Sequence, residues 1–329
     1  MVDDSQLFRE ALSKAISDDY IEVVAKAIDA FDARDKILKY EPDVMTCDVE
    51  MPKMNGIEFI KRLLPQYSIP VIVISGLSES VFDAMKAGAV DFVQKPHGKS
   101  KDSFKEFIHE IKTKIIIAAN AKVIPTLDTL VQNKTNTQTF IQNKVIAIGA
   151  STGGTEAISN LLKRLPTQVP GIVIVQHIPP EFSRMFAERL DKQTNFKVKE
   201  AKSGDFLEQG HVFIAPGDRH MRVKKLGDRF KIECFEDAKV NGHCPSVDIL
   251  FDSVAKHVGV DAIGVILTGM GYDGAKGLLS MRRKGARTIG QSPQSCVVYG
   301  MPKVAYDIGA VEKQVDLSNI PAIILSMLK

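Results

Sequence analysis

KVIAIGASTGGTEAISNLLKRL, residues 144–165, passes in one sweep from an apolar run through a glycine-rich turn into a helical pattern. The run VIAI is short and rich in β-branched residues, as expected of a strand buried on both faces. After the turn, Ala157, Ile158, Leu161, Leu162 and Leu165 recur at helical spacing. A strand that turns tightly into a helix opens a βα unit, and the pattern continues downstream. Further strand-like runs cover Gly171 to Gln176, His211 to Ala215 and Ala262 to Leu267, with connections long enough for helices. These features predict an α/β domain built on a mostly parallel sheet.

The upstream half shows a second series. Short apolar runs at Ile21 to Ala25, Val44 to Cys47, Val71 to Ile74 and Val90 to Val93 alternate with helix candidates over 29–39, 56–64 and 79–87. A last helix from Lys101 to about Ala118 places Phe104, Phe107, Ile108, Ile111 and Ile115 on one face. The uncharged polar stretch QNKTNTQT, residues 132–139 with one lysine, reads as part of a linker. The expected division is 1–118, a connection over 119–143, and 144–329.

Composition narrows the classes. A chain of 329 residues with 44% apolar and 25% charged residues has the balance of a globular protein, long enough for two cores. Its net charge of +3 and the absence of a long Lys/Arg run argue against nucleic acid and against membrane insertion. The four cysteines, Cys47, Cys234, Cys244 and Cys296, are widely spaced and read as reduced thiols. With an acidic N-terminus and no long apolar stretch, a cytoplasmic location is expected.

Four features of the first half fall at predicted strand ends: Asp3-Asp4, Asp48, Ser75 and Lys95-Pro96. Carboxyl ends of parallel strands share one edge, so these side chains converge there. Three crowded carboxylates need a hard cation such as Mg²⁺ to relieve repulsion, and the lysine supplies a second positive charge. Singly, each is an ordinary loop residue; together they suit an aspartyl phosphoryl acceptor. With DDS, CDVEMPKMNG and VQKP in order, residues 2–118 resemble the response-regulator receiver family, whose fold is flavodoxin-like. The resemblance implies phosphorylation at Asp48, Mg²⁺ at Asp3, Asp4 and Asp48, and phosphoryl contacts from Ser75 and Lys95. Only Met1 and Val2 precede the acidic pair where that family has a full central strand. A truncated first strand is therefore expected, with the natural start upstream.

In the second half, Gly149-Ala-Ser151-Thr-Gly153 matches G-x-S-x-G in its strand-turn-helix context. Serine needs a base and a group that orients the base. His177, after the strand GIVIVQ, is the candidate base. Asp273, after DAIGVILTG and Met270, is the candidate orienter. The order Ser, His, Asp disfavours the α/β-hydrolase superfamily. Residues 144 to about 325 resemble the chemotaxis protein-glutamate methylesterase family through GASTGG, QHIP, APGDRHM, PSVDILF, TGMGYDGAKGL and SCVVYGMP. A doubly wound, Rossmann-like esterase domain is the implied fold.

The family resemblance implies Ser151 as nucleophile, His177 as base, Asp273 as orienter, and backbone N–H groups near Thr152 or Met270 for the oxyanion. It also implies demethylation of receptor glutamyl esters, glutamine deamidation, no cofactor for the esterase, and a chemotaxis histidine kinase as phosphodonor. The unphosphorylated receiver is expected to cover the esterase cleft. Two positions depart from the family pattern: Cys244 stands where arginine is common, and Ser292-Pro293-Gln294 replaces a more acidic stretch. The competing classes are a DNA-binding regulator and a nucleotide-binding module. The first lacks a basic recognition helix; the second lacks the Walker lysine and breaks G-x-G-x-x-G at Ser151.

Overall fold

The computed structural model describes residues 1–76, 79–96, 101–122 and 144–329. The chain separates into two compact units, Met1–Asp128 and Thr129–Lys329. The QNKTNTQT stretch lies outside the described residues.

The first unit contains α1 (Gln6–Ile16), α2 (Ala30–Tyr40), β1 (Met45–Asp48), α3 (Gly56–Leu63), β2 (Val71–Ser75), α4 (Ser80–Lys86), β3 (Asp91–Gln94) and α5 (Lys101–Ala119). Its three strands are parallel in the order β1-β2-β3. Helix α1 was not foreseen, although Ser5 caps it by accepting from Phe8 N. The strand expected at Ile21 to Ala25 is a correction. In its place Val2 makes one-residue parallel bridges to Ala27 on one side and Cys47 on the other. A strand is defined by a neighbour running beside it, and Met1 to Asp3 are the described residues that bond to Ala25 and Ala27. Val2 N donates to Thr46 O at 2.9 Å and Ala27 N to Met1 O at 2.8 Å. Beyond these bonds a cavity of about 280 Å³ opens, lined in part by Ile16, Ile21, Val23, Ile37, Val44 and Ile115 and in part by Glu22, Lys36 and Asp43.

The second unit runs β4 (Val145–Ala150), α6 (Gly154–Arg164), β5 (Ile172–Gln176), α7 (Pro180–Gln193), β6 (Lys197–Glu200), β7 (His211–Ile214), β8 (His220–Leu226), β9 (Arg229–Phe235) and α8 (Val247–His257). It continues through β10 (Ala262–Ile266), α9 (Ala275–Arg283), β11 (Arg287–Gln291), α10 (Met301–Asp307), β12 (Lys313–Val315) and α11 (Ile320–Met327). Seven parallel strands lie in the order β12-β11-β10-β4-β5-β7-β6, and β8 and β9 form a separate antiparallel hairpin. Every residue of β4 is buried. Val145 and Ala147 pack in one cluster with Val247, Phe251, Leu278 and the hairpin's Met221 and Ile232. Ile146 and Ile148 alternate with them along the strand and are also fully buried.

The order reverses at β4, with β5 on one side and β10 on the other. Loops leaving the carboxyl ends of these three strands therefore face a common crevice.

Replacing Ile148 by Ala opens a cavity in the middle of β4 and is expected to cost about 2–5 kcal/mol. Urea unfolding followed by circular dichroism checks this; an unchanged midpoint would mean that the strand is not central to the core.

Candidate active site

Ser151 and His177 are the first residues past the paired ends of β4 and β5, where Ala150 stands opposite Gln176. His177 N donates to Ala150 O at 3.1 Å, and the Gln176 side-chain amide donates to the carbonyls of both Ser151 (2.9 Å) and His177 (3.2 Å). The loop after β10 reaches the same point. Ser151 N donates to Thr268 O at 3.0 Å, and a Cβ built on Gly269 would stand 2.7 Å from Ser151 Cβ. A glycine is needed at 269 for that approach. Gly153, at φ +76° and with its α-carbon facing Val297, lets the chain turn from Ser151 into α6.

Asp273, 1% exposed, lies within this crevice and is ringed by donors. Its Oδ2 meets His177 Nε2 at 2.9 Å and accepts from Val247 N at 2.7 Å. Its Oδ1 accepts from Ser246 Oγ (2.7 Å), Asn241 Nδ2 (2.8 Å) and Asp248 N (3.3 Å). Burial by itself would raise this carboxyl. Hydrogen bonding and attraction from His177, with the bonds from Asn241 and Ser246, overcome that and hold it well below the usual carboxylate range. The two backbone donors belong to the first turn of α8, where the helix dipole also favours an anion. Neighbouring Asp248 goes the other way: burial raises it and Asp273 repels its charge, against donation from Gly277 N and Asn241.

His177 thus has Nε2 committed to a carboxylate, while its Nδ1 is buried without a partner among the described residues. Its ring is stacked on that of His243, with centroids 3.7 Å apart and planes 9° from parallel. Ser151 and His177 follow the paired strand ends Ala150 and Gln176, and no hydrogen bond joins the Ser151 hydroxyl to the His177 ring among the described residues. Such contacts often tighten only with substrate bound. Thr152 is buried and follows Ser151; Met270 follows the glycine that abuts Ser151 and is 47% exposed.

In the first unit, Asp3, Asp4 and Asp48 each offer a carboxylate oxygen, all within 4.8 Å of one another. Lys95 Nζ bonds Asp3 at 2.9 Å and Asp48 at 2.6 Å. Burial raises Asp48, with Asp3 adding repulsion and Lys95 opposing both; burial lowers Lys95, but the two carboxylates outweigh it and raise it. Ser75 Oγ is buried with no partner among the described residues. Such oxygen-only donors suit a hard divalent cation, and the orphaned hydroxyl suits an incoming acceptor oxygen.

Residues 146–324 match the family described as CheB methylesterase, and residues 1–103 match the response regulator receiver domain. The protein-glutamate methylesterase/protein-glutamine glutaminase 2 of Syntrophomonas wolfei subsp. wolfei is 56% identical over 97% of this chain and 94% of its own length. The chain belongs to the CheB methylesterase family. A further methylesterase/glutaminase, from Salmonella typhimurium, is 45% identical over 97% of this chain and 93% of its own. Among solved structures, the CheB methylesterase catalytic domain of Thermotoga maritima superposes with a TM-score of 0.55 at 36% identity, covering 57% of this chain and all of that one.

For this CheB-family chain, sequence reasoning named Ser151, His177 and Asp273 and left their surroundings blank. Gln176, Asn241, His243 and Ser246 had no assigned role, although Asn241-Gly242 is a local turn signal and Ser246 sits in the PSVDILF motif. Neither departure from the family pattern makes a hydrogen bond to Ser151, His177 or Asp273 among those the structure records. Cys244 O accepts from Asp218 N at 3.3 Å, and Ser292 Oγ donates to Asp316.

His243 is pushed down to about 4, first by burial and then by His177, with Lys239 adding repulsion and Asp273 opposing them. An unfolded chain therefore binds a proton at this position between about pH 6.5 and 4 that the folded one refuses. That contribution to stability is complete above this window and is lost as pH falls through it. Unfolding midpoints measured across the window should fall less steeply for His243→Phe than for the parent; identical slopes would contradict the assignment.

Proposed function

We propose that this chain is a phosphorylation-regulated serine hydrolase that demethylates glutamyl methyl esters on chemotaxis receptors and deamidates receptor glutamines. One observation carries the catalytic reading. At the strand end paired with that of Ser151, a largely buried imidazole is held by an ionised carboxylate through Nε2 and keeps Nδ1 free of partners among the described residues.

Ser151 Oγ attacks the γ-carbonyl carbon while its proton passes to His177 Nδ1, and the new imidazolium is stabilised by Asp273. Backbone N–H groups at Thr152 and Met270 receive the oxyanion. On collapse, His177 returns the proton to the departing methoxide, giving methanol and an acyl-serine. Water, deprotonated by His177, then attacks that ester; the serine oxygen leaves with the proton and the free glutamate is released. A glutamine substrate follows the same path with ammonia leaving. None of these steps calls on a cofactor.

In the receiver unit, Asp48 accepts a phosphoryl group from the chemotaxis histidine kinase. Asp3, Asp4 and Asp48 would hold Mg²⁺, which offsets charge on the transferring oxygens, while Lys95 and Ser75 contact the phosphoryl group. Phosphorylation raises the esterase rate. No helix among the described residues is long and apolar enough to cross a membrane. The proposed setting is the cytoplasm, where receptor methylation segments and the kinase are both accessible, and no nucleic acid takes part.

Methanol release from methylated receptor membranes should fall on the order of a million-fold in Ser151→Ala; near-parental release would contradict the mechanism. A small phosphodonor with Mg²⁺ should stimulate the parent and leave Asp48→Asn unstimulated. Equal stimulation of both would remove Asp48 as the acceptor.

A further inference from the structure

The loop Ala238–Ser246 approaches the His177–Asp273 pair from outside the sheet, and three of its side chains touch the pair. Its two ends are tied by one buried residue, His220, whose Nε2 donates to Ala238 O at 3.0 Å and whose Nδ1 accepts from Ser246 N at 3.2 Å. Within the loop, Val240 and His243 exchange both backbone hydrogen bonds, at 3.0 and 2.9 Å. They close a two-residue turn at Asn241 and Gly242, whose φ values of 54° and 84° are those of a tight hairpin turn.

This frame aims three groups. Asn241 Nδ2 donates to Asp273 Oδ1 and to Asp248 Oδ2, each at 2.8 Å. Ser246 Oγ donates to Asp273 Oδ1 at 2.7 Å. The His243 ring lies flat on the His177 ring, 3.7 Å between centroids. A single hydrogen bond to Asp273 fixes one point of the His177 imidazole and leaves its plane free to rock about that bond. A ring stacked on its face removes this freedom and shields that face from water.

We infer that the Ala238–Ser246 loop is a positioning clamp for the catalytic pair, in which His243 sets the plane of the His177 ring and Asn241 sets the carboxylate. The inference rests on the proposed roles of Ser151, His177 and Asp273. His243 acts as a neutral ring: the groups facing it are His177, Asp273 and Lys239, and a second cation there would oppose the imidazolium that forms on His177 during the reaction.

The test uses full-length His243→Ala, His243→Phe and Ser151→Ala proteins, with methanol release from methylated receptor membranes read as kcat, KM and pH profile. His243→Ala should lose kcat by on the order of ten- to a hundred-fold while KM stays within about two-fold. Its acid limb in kcat/KM should move to higher pH, because water reaching the exposed ring face favours the imidazolium. His243→Phe, which keeps a flat ring, should recover most of kcat and the parental limb. If His243→Ala fails to fold by circular dichroism, the size-matched His243→Leu takes its place, with low kcat expected beside high kcat for Phe. A flexible or flat replacement giving the same kcat and the same limb overturns the clamp. Should Ser151→Ala remain active, the nucleophile reading and the clamp both fall; should it be inactive while every His243 variant behaves as the parent, the clamp alone falls.

Discussion

One buried negative charge organises the catalytic unit. A carboxylate as enclosed as Asp273 takes up a proton unless its surroundings replace the water it has lost. Here that replacement comes from the imidazole of His177, the amide of Asn241, the hydroxyl of Ser246 and two backbone N–H groups of α8. These donors come from the end of β5, a hairpin turn and a helix N-terminus. Buried this deeply, the carboxylate remains an anion because all three segments supply donors to it. Asp248, sharing the Asn241 amide, is shifted the opposite way, raised by burial and by repulsion from Asp273.

Sheet topology decides where such a site can be built. Helices and the hairpin cover both faces of the seven strands, which leaves the strand ends as the accessible surface. Only at the reversal around β4 do loops from opposite sides of the sheet meet without crossing. The small residues there make the meeting close enough: Gly269 lies against Ser151, and Gly153 against Val297. The receiver unit follows the same rule on a smaller sheet, where Asp48 ends β1, Ser75 ends β2 and Lys95 follows β3. In one unit the strand ends gather a hydroxyl, an imidazole and a carboxylate; in the other they gather three carboxylates, a lysine and a hydroxyl.

Much of this was readable from residues because central parallel strands carry continuous apolar runs, and VIAI, GIVIV and AIGVIL have no other comfortable placement. His177 and Asp273 were legible for the same reason: each follows such a run directly, and strand ends are where parallel sheets present polar groups. What escaped reading depends on partners distant in sequence. Ile21 to Ala25 has the composition of a strand, yet strand pairing depends on which segment lies beside it, which composition does not encode. The turn at Asn241-Gly242 is a local signal, but that it would hold Asp273, 32 residues away, depends on where α8 directs the intervening chain. His220 and His243 were passed over for lack of a preceding strong parallel strand; their roles come from stacking and from tying a loop.

The central claim is that Ser151 is the nucleophile and is activated by the adjoining imidazole and carboxylate. Its most direct test is to treat the full-length protein with a fluorophosphonate, digest it and locate the adduct by mass spectrometry. A single phosphonyl group on Ser151, absent when Asp273 is replaced by Asn at the same exposure time, is the predicted result. Modification of a different residue, or no modification in a protein that still releases methanol, would contradict it.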